Sequence, residues 1–174
     1  MSLLDQFRQV KAFVFDLDGV LTDGSLQIFP NKEFIRTMDI KDGYALQLAV
    51  KKGYHVLVIS GSVSKPCAER LDYLGIRHVF MKVSDKEEVL AQYVLANQLS
   101  WNEILYMGDD LPDLNVMQVA GIPCCPADAV PDIRQVSRYI SPFPGGKGCA
   151  RDVIEKVLRL NNDWPVASGE ISSI

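Results

Sequence analysis

This 174-residue chain is poor in the features that would place it outside the compact soluble proteins. No apolar run approaches the ~20 residues of a membrane span. The apolar stretch nearest the N-terminus, Ala12–Phe15, is cut off by Asp16 and forms no signal-peptide core. There is no basic block, and a formal net charge of −4 gives no general attraction to nucleic acid. Cysteine is scarce: Cys67, Cys124, Cys125 and Cys149 show no metal-finger spacing. Adjacent Cys124 and Cys125 would face opposite sides of a strand, so small buried thiols in a reducing cytoplasm are expected. The two histidines, His55 and His78, flank strand-like segments and read as structural. No Gly-x-Gly-x-x-Gly occurs, and Gly145-Gly146-Lys147 lacks the spacing and the following Ser/Thr of a nucleotide loop. Repeats, low-complexity tracts and internal linkers are also missing. The 48% hydrophobic content can supply a core for one domain. A single domain over 1–174 is expected, with a core from about 11 to 160 and a polar tail, 161–174, that frays or reaches a neighbour.

Against this background one stretch stands out, Lys11-Ala-Phe-Val-Phe-Asp-Leu-Asp-Gly-Val-Leu-Thr-Asp-Gly24. Ala12 to Phe15 is β-rich, apolar and ends abruptly at charge, which reads as a short buried strand. Asp16 and Asp18 leave its end two residues apart, a spacing that puts both acids on one side. Two carboxylates forced together repel unless a cation lies between them or one holds a proton. Gly19 then allows a sharp turn where a ligand could approach. The pattern predicts a divalent-metal site with acid, base or nucleophile chemistry; a turn with two solvated aspartates is the alternative.

Other polar groups follow later strand-like runs. Tyr54–Ile59 ends at Ser60-Gly61-Ser62, and Glu103–Met107 ends at Gly108-Asp109-Asp110-Leu111-Pro112-Asp113. Helical patterns fill roughly Gly43–Lys52, Ser64–Leu74, Asp85–Leu99, Leu111–Val119 and Lys147–Leu160. Strand and helix in alternation predict an α/β fold, a parallel sheet with helices on both faces. Ligands in such sheets bind outside the carboxyl ends of the strands, where Asp16, Asp18, Ser60 and Asp109 would all lie.

These residues resemble the four motifs of haloacid-dehalogenase-superfamily phosphatases: Asp16-Leu-Asp-Gly-Val-Leu-Thr-Asp-Gly, Ser60, Lys86 and Gly108-Asp-Asp-Leu-Pro-Asp113. Asp39-Ile-Lys-Asp-Gly-Tyr44 and Gly145-Gly-Lys-Gly-Cys-Ala-Arg-Asp152 resemble one branch, the capless phosphatases of 3-deoxy-D-manno-octulosonate 8-phosphate and its nine-carbon relatives. The similarity runs from about Lys11 to Leu160. It implies a three-layer Rossmann-like fold with a central parallel sheet, a β-hairpin flap and no cap domain.

The resemblance also implies roles. Asp16 would be the nucleophile, forming an aspartyl-phosphate, and Asp18 the general acid and then base. Mg²⁺ would be held by the Asp16 carboxylate, the Asp18 backbone carbonyl and Asp109, with Asp110 and Asp113 orienting ligands and waters. Ser60, Gly61 and the following amides would bind phosphoryl oxygens, and Lys86 would neutralise developing charge. Blander readings stand beside these. Lys86 lies in a charged helix start that Ser84 could cap with Glu87, which reads as a solvated lysine. Ser60-Gly61 could be a plain turn, Asp109 a helix N-cap, and Asp110 and Asp113 first-turn acids.

The gaps between motifs are too short for a lid. About forty residues separate Asp18 from Ser60, against the ~50 of a small domain. Part of that gap, Val20 to Ile40, alternates around Phe29-Pro30-Asn31-Lys32 and reads as the hairpin flap. Ser60 to Lys86 holds one helix and a short strand, Arg77–Met81. An open site acting on a small metabolite needs walls from elsewhere. Leu26–Phe34 and Gly145–Arg151 are the candidates, and the resemblance implies a homotetramer.

The expected substrate is a small phosphorylated sugar acid, with no nucleic-acid or membrane partner. Octulosonate enzymes commonly carry Arg after Ser-Gly and some nine-carbon relatives an acid, whereas this chain has Ser62; Lys147, Arg151 and Lys65 are the cations that could compensate. A dehalogenase, a phosphotransferase acting on protein and a catalytically silent oligomerisation module are the competing classes. Asp18 has no duty in the first, and retention of Asp16, Asp18, Lys86 and Asp109 argues against the last.

Overall fold

The computed structural model describes residues 2–30 and 34–165. Its centre is β1 (Ala12–Phe15), which pairs in parallel with β4 (His55–Ile59) on one side and β6 (Ile104–Met107) on the other. The sheet continues outward through β5 (His78–Phe80) beyond β4, and through β7 (Ile122–Cys125) and β8 (Tyr139–Ile140) beyond β6. Every pairing in it is parallel. Among the described residues the only antiparallel strands are β2 (Gln27–Ile28) and β3 (Phe34–Ile35), the expected hairpin flap, extended by a bridge from Thr22 to Met38. Residues 31–33 of its expected turn lie outside the described residues.

Strand periodicity divides the core in two. Phe13, Phe15, Val58 and Met107 face a layer made by α1 (Leu3–Arg8), α2 (Ile40–Lys51), α3 (Lys65–Tyr73) and α7 (Cys149–Leu160). Ala12, Val14, Leu57 and Tyr106 face α4 (Lys86–Ala96), α5 (Leu114–Val119) and α6 (Pro131–Val136). Cys124 falls in the first layer and Cys125 in the second, as adjacent strand residues must. All four cysteines are buried and free.

Several boundaries differ from the sequence reading. The α2 helix starts at Ile40 rather than Gly43, because Asp39 accepts the Lys41 amide at 2.6 Å and caps it. Gly43 lies inside that helix, where an added Cβ would come within 3.2 Å of Arg70 Nη2. Asp85, not Ser84, caps α4 through the Glu88 amide, and the helix ends at Ala96 rather than Leu99. The expected helix at Leu111 begins with a tight turn, 111–113, before α5, and α7 begins at Cys149 after Gly148 at φ +107°. Short α1, α6 and β8 lack a full period of apolar residues, and sequence reading missed them. Well before the expected start at 11, α1 buries Phe7 edge-on against Tyr139. Beyond 160, Trp164 packs between Tyr44 and the guanidinium groups of Arg151 and Arg159. Residues 166–174 of the tail lie outside the described residues.

The two branch-signature stretches meet. Asp42, only 2% exposed in the first turn of α2, accepts the Gly148 amide at 3.1 Å and the Arg151 amide at 2.7 Å. Burial pushes its carboxyl up to about 6, although both amides oppose that shift. Gly145 and Gly146 then lie against the turn after β1. A Cβ at Gly145 would sit 1.9 Å from the Gly19 carbonyl oxygen, and the Gly146 amide donates to Val20 at 2.8 Å. Asp42→Ala strands two half-buried amides and should cost about 1 kcal/mol, with a lowered Tm in thermal unfolding. A Tm unchanged from wild type would show that Asp42 does not tie α2 to α7.

Candidate active site

The carboxyl ends of β1, β4 and β6 open into one pocket of about 330 Å³, lined by Asp16, Asp18, Ser60, Gly61, Lys86 and Asp109 among others. The sequence-predicted site residues therefore come together. The chain does not hold the first two acids on strand geometry, however. The β1 strand ends at Phe15, and Asp18 and Gly19 turn away at φ −81° and +88°. Glycine is required there twice over: its φ is positive, and a Cβ would lie 2.0 Å from Asp109 Oδ2. Gly108 does the same for Asp113, whose Cβ would be met at 2.4 Å.

Lys86 is the hub. It is 5% exposed, and its ammonium lies 2.9 Å from Asp16 Oδ1 and 2.7 Å from Asp113 Oδ1. The solvated-lysine reading is overturned, since the first turn of α4 aims inward. Burial disfavours the ammonium, but Asp113 and Asp16 outweigh it and hold the Lys86 pKa above its ordinary value. Tyr106, missed in the sequence, donates its hydroxyl to Asp113 Oδ1 at 2.6 Å from the same strand that carries Asp109 at its end. The Asp109 amide also reaches Asp113 Oδ2 at 3.3 Å. Asp113 is thus a buried anchor, whereas Asp110 accepts the Leu111 amide and starts the turn that follows.

Asp16, Asp109 and Asp113 each bring a carboxylate oxygen within 4.8 Å of the others. Asp113 is already engaged by three donors, while Asp109 Oδ1 is buried with no hydrogen-bond partner. A buried carboxylate oxygen aimed at another carboxylate fits a hard cation with oxygen ligands. Burial and then Asp16 and Asp113 push Asp109 up to about 8, and burial and Asp113 push Asp16 up to about 6.

Asp18 lies on the other side of the pocket and faces the flap. Arg36 grips it bidentately, Nε to Oδ1 at 2.6 Å and Nη2 to Oδ2 at 3.1 Å. Ser62 donates to Oδ2 at 2.7 Å and Thr22 to Oδ1 at 3.4 Å. Burial raises the Asp18 pKa, but these donors, Arg36 first, outweigh it and hold the carboxyl below its ordinary range. Nothing in the alternating flap sequence marked Arg36, whose side chain is buried at the hairpin's base. Ser60 is 1% exposed; its amide joins the sheet at Phe80, and its hydroxyl lies 3.0 Å from that of Ser62. Lys147 and Arg151 line a separate cavity beside α7 and Lys65 a groove beside the flap, so none of the three lines this pocket. His55 and His78 begin β4 and β5, at the opposite sheet edge, both against Tyr93.

No protein-family model matches the chain. The solved structure of a probable YrbI family phosphatase from Pseudomonas syringae is 34% identical, with 92% of each chain covered and a TM-score of 0.89. That of 3-deoxy-D-manno-octulosonate 8-phosphate phosphatase from Moraxella catarrhalis, in complex with magnesium, phosphate and KDO, is 29% identical. It covers 92% of each chain with a TM-score of 0.89. The KdsC phosphatase of Escherichia coli K12, named for the same 8-phosphate, is 29% identical over 169 residues, 97% of this chain and 90% of that protein.

The raised acids make a testable pH pattern. The folded chain keeps a proton on Asp109 up to about pH 8, whereas the unfolded chain releases it near 4. Stability from this group is therefore full below the unfolded value and lost as pH rises through 8. A divalent cation replaces that proton, so the Tm gained on adding one should be larger at pH 8 than at pH 6, and Asp109→Asn should gain little at either. Equal wild-type gains at both pH values would refute the cation reading of Asp109.

Proposed function

We propose, from the premise that the chain belongs to the haloacid dehalogenase superfamily and its capless 3-deoxy-D-manno-octulosonate 8-phosphate phosphatase-like family, that it is a Mg²⁺-dependent phosphomonoesterase acting on a sugar-acid phosphate. The observation that carries the reading is the buried Lys86 between Asp16 and Asp113, opposite the unpartnered oxygen of Asp109. An eight-carbon keto-deoxy acid 8-phosphate is the substrate that the relatives support best.

Asp16 attacks phosphorus with a carboxylate oxygen; the bond to the sugar oxygen breaks, and that oxygen takes a proton from the Asp18 carboxyl, which has to leave the Arg36 fork to carry one. Water then attacks the aspartyl-phosphate and yields its proton to Asp18, and Asp16 leaves as carboxylate with inorganic phosphate released. Lys86 keeps Asp16 oriented and offsets charge on the transferring group. Ser60 and Gly61 form the wall that receives phosphoryl oxygens. Mg²⁺, held by Asp16, Asp109 and the Asp18 carbonyl, would offset the repulsion between nucleophile and phosphate.

The tests are phosphate release with and without Mg²⁺ and its dependence on the two acids. Asp16→Asn should abolish turnover, and Asp18→Asn should lower it by at least ~10², the usual scale of acid–base assistance. Wild-type release by Asp16→Asn would remove it from the reaction.

The assembly proposed is a closed homo-oligomer, a tetramer, in the cytoplasm. No described helix is long and apolar enough to cross a membrane. Of the two expected wall segments, Gly145–Gly146 packs within the chain against Gly19 and Val20. The flap is left, and it exposes Leu26, Ile28, Phe29, Phe34 and Ile35 together. Ile28→Lys should shift the mass seen by light scattering towards the monomer and reduce turnover with it. An assembly unaffected by that charge would remove the flap from the interface.

A further inference from the structure

Beside the pocket, and sharing the Arg36–Ser62 boundary with it, runs a groove of about 720 Å³ between the flap and the start of α3. Phe34, Ile35, Met38, Val63 and Pro66 give it apolar walls. Among the described residues its charged lining is Arg36, Lys65 and Arg70, with no carboxylate. The two cavities thus differ in sign: the pocket gathers carboxylates around one lysine, and the groove gathers cations. A ligand fitting both has a phosphoryl end, met by Lys86 and a cation, and a second anionic group some way along a carbon skeleton. Arg36 stands where the two meet, and its fork holds two oxygens of one carboxylate. Guanidinium matches carboxylate geometry closely, and among the described residues Asp18 is the acid that Arg36 pairs with.

We propose that Arg36 is the specificity-determining residue for the substrate's carboxylate, which takes the place of Asp18 in the guanidinium fork when substrate fills pocket and groove. The exchange keeps Arg36 paired while it is buried, and it leaves the Asp18 carboxyl free to turn to the leaving oxygen. Phosphate esters without an acid group leave Asp18 in the fork, so discrimination lies in the reaction as well as in binding. The proposal rests on the phosphatase reading above and adds the residue that makes it selective for acids.

The test compares kcat/KM for 3-deoxy-D-manno-octulosonate 8-phosphate and for a seven-carbon ketose 7-phosphate lacking the carboxylate. Wild type should prefer the acid. Arg36→Gln should lower that preference at least about tenfold, the scale of one charge-assisted contact. Arg36→Lys, which keeps charge without the fork, should retain part of it, and its conserved bulk keeps the comparison open if the Gln variant does not fold. A wild type without preference, or a preference that Arg36→Gln leaves unchanged, would overturn the assignment. Phosphate release from neither ester by wild type would overturn the phosphatase reading instead. In that case calorimetric binding of the free acid, 3-deoxy-D-manno-octulosonate, decides for Arg36. Binding weakened about tenfold in Arg36→Gln supports the fork, and equal or absent binding overturns it.

Discussion

Lys86 brings one positive charge to a place where burial leaves Asp16 and Asp113 little else to pair with, and much of the molecule is arranged to keep it there. Its ammonium lies within 2.9 Å of both acids, Asp16 just beyond β1 and Asp113 in the turn before α5, so the pair of contacts joins the end of β1 and that turn to the start of α4. Removing the lysine would leave two buried carboxylates beside a third, Asp109, in a low-dielectric pocket. Tyr106 and the Asp109 amide complete the hold on Asp113, so of the two acids that Lys86 binds Asp16 is the less enclosed. The same excess of negative charge that burdens the site is what suits it to a cation and, through that cation, a phosphate.

Much of this was legible in the chain. An apolar run ending at Asp16 marked the central strand, because a strand buried on both faces leaves an unbroken apolar signature. Alternation of strand and helix gave the sheet, and the ends of its strands gave the pocket. What stayed hidden depends on direction rather than pattern. Lys86 reads as a solvated helix-start residue until α4 is docked, since helix geometry places it but only tertiary packing turns it inward. Arg36 carried no signal at all, because a cation in a short exposed hairpin is ordinary and its partner is eighteen residues away. Asp110 and Asp113 looked alike in sequence; one opens a turn at the surface and the other is buried under Tyr106.

The glycine-rich stretch 145–148 shows a different division of labour. Its sequence suggested a wall for ligand, yet it braces the turn that follows β1 from behind. Gly145 and Gly146 approach the Gly19, Thr22 and Asp23 backbone too closely for side chains, and Cys149 Sγ lies 3.2 Å from the Val20 carbonyl oxygen. Asp42 then ties that brace to α2. Residues outside the pocket therefore fix the backbone just beyond Asp18.

That brace has a consequence for synthesis. Asp16 and Asp18 are translated early, but β1 finds its partners only when β4 and then β6 have emerged, the latter beginning at Ile104. The turn after β1 waits longer still, for Gly146 to reach Val20. Contacts so distant in sequence close late and slowly. A nascent or prematurely terminated chain carries Asp16 and Asp18 yet lacks the backing of the turn that follows them, so the pocket takes its shape only with the last helix.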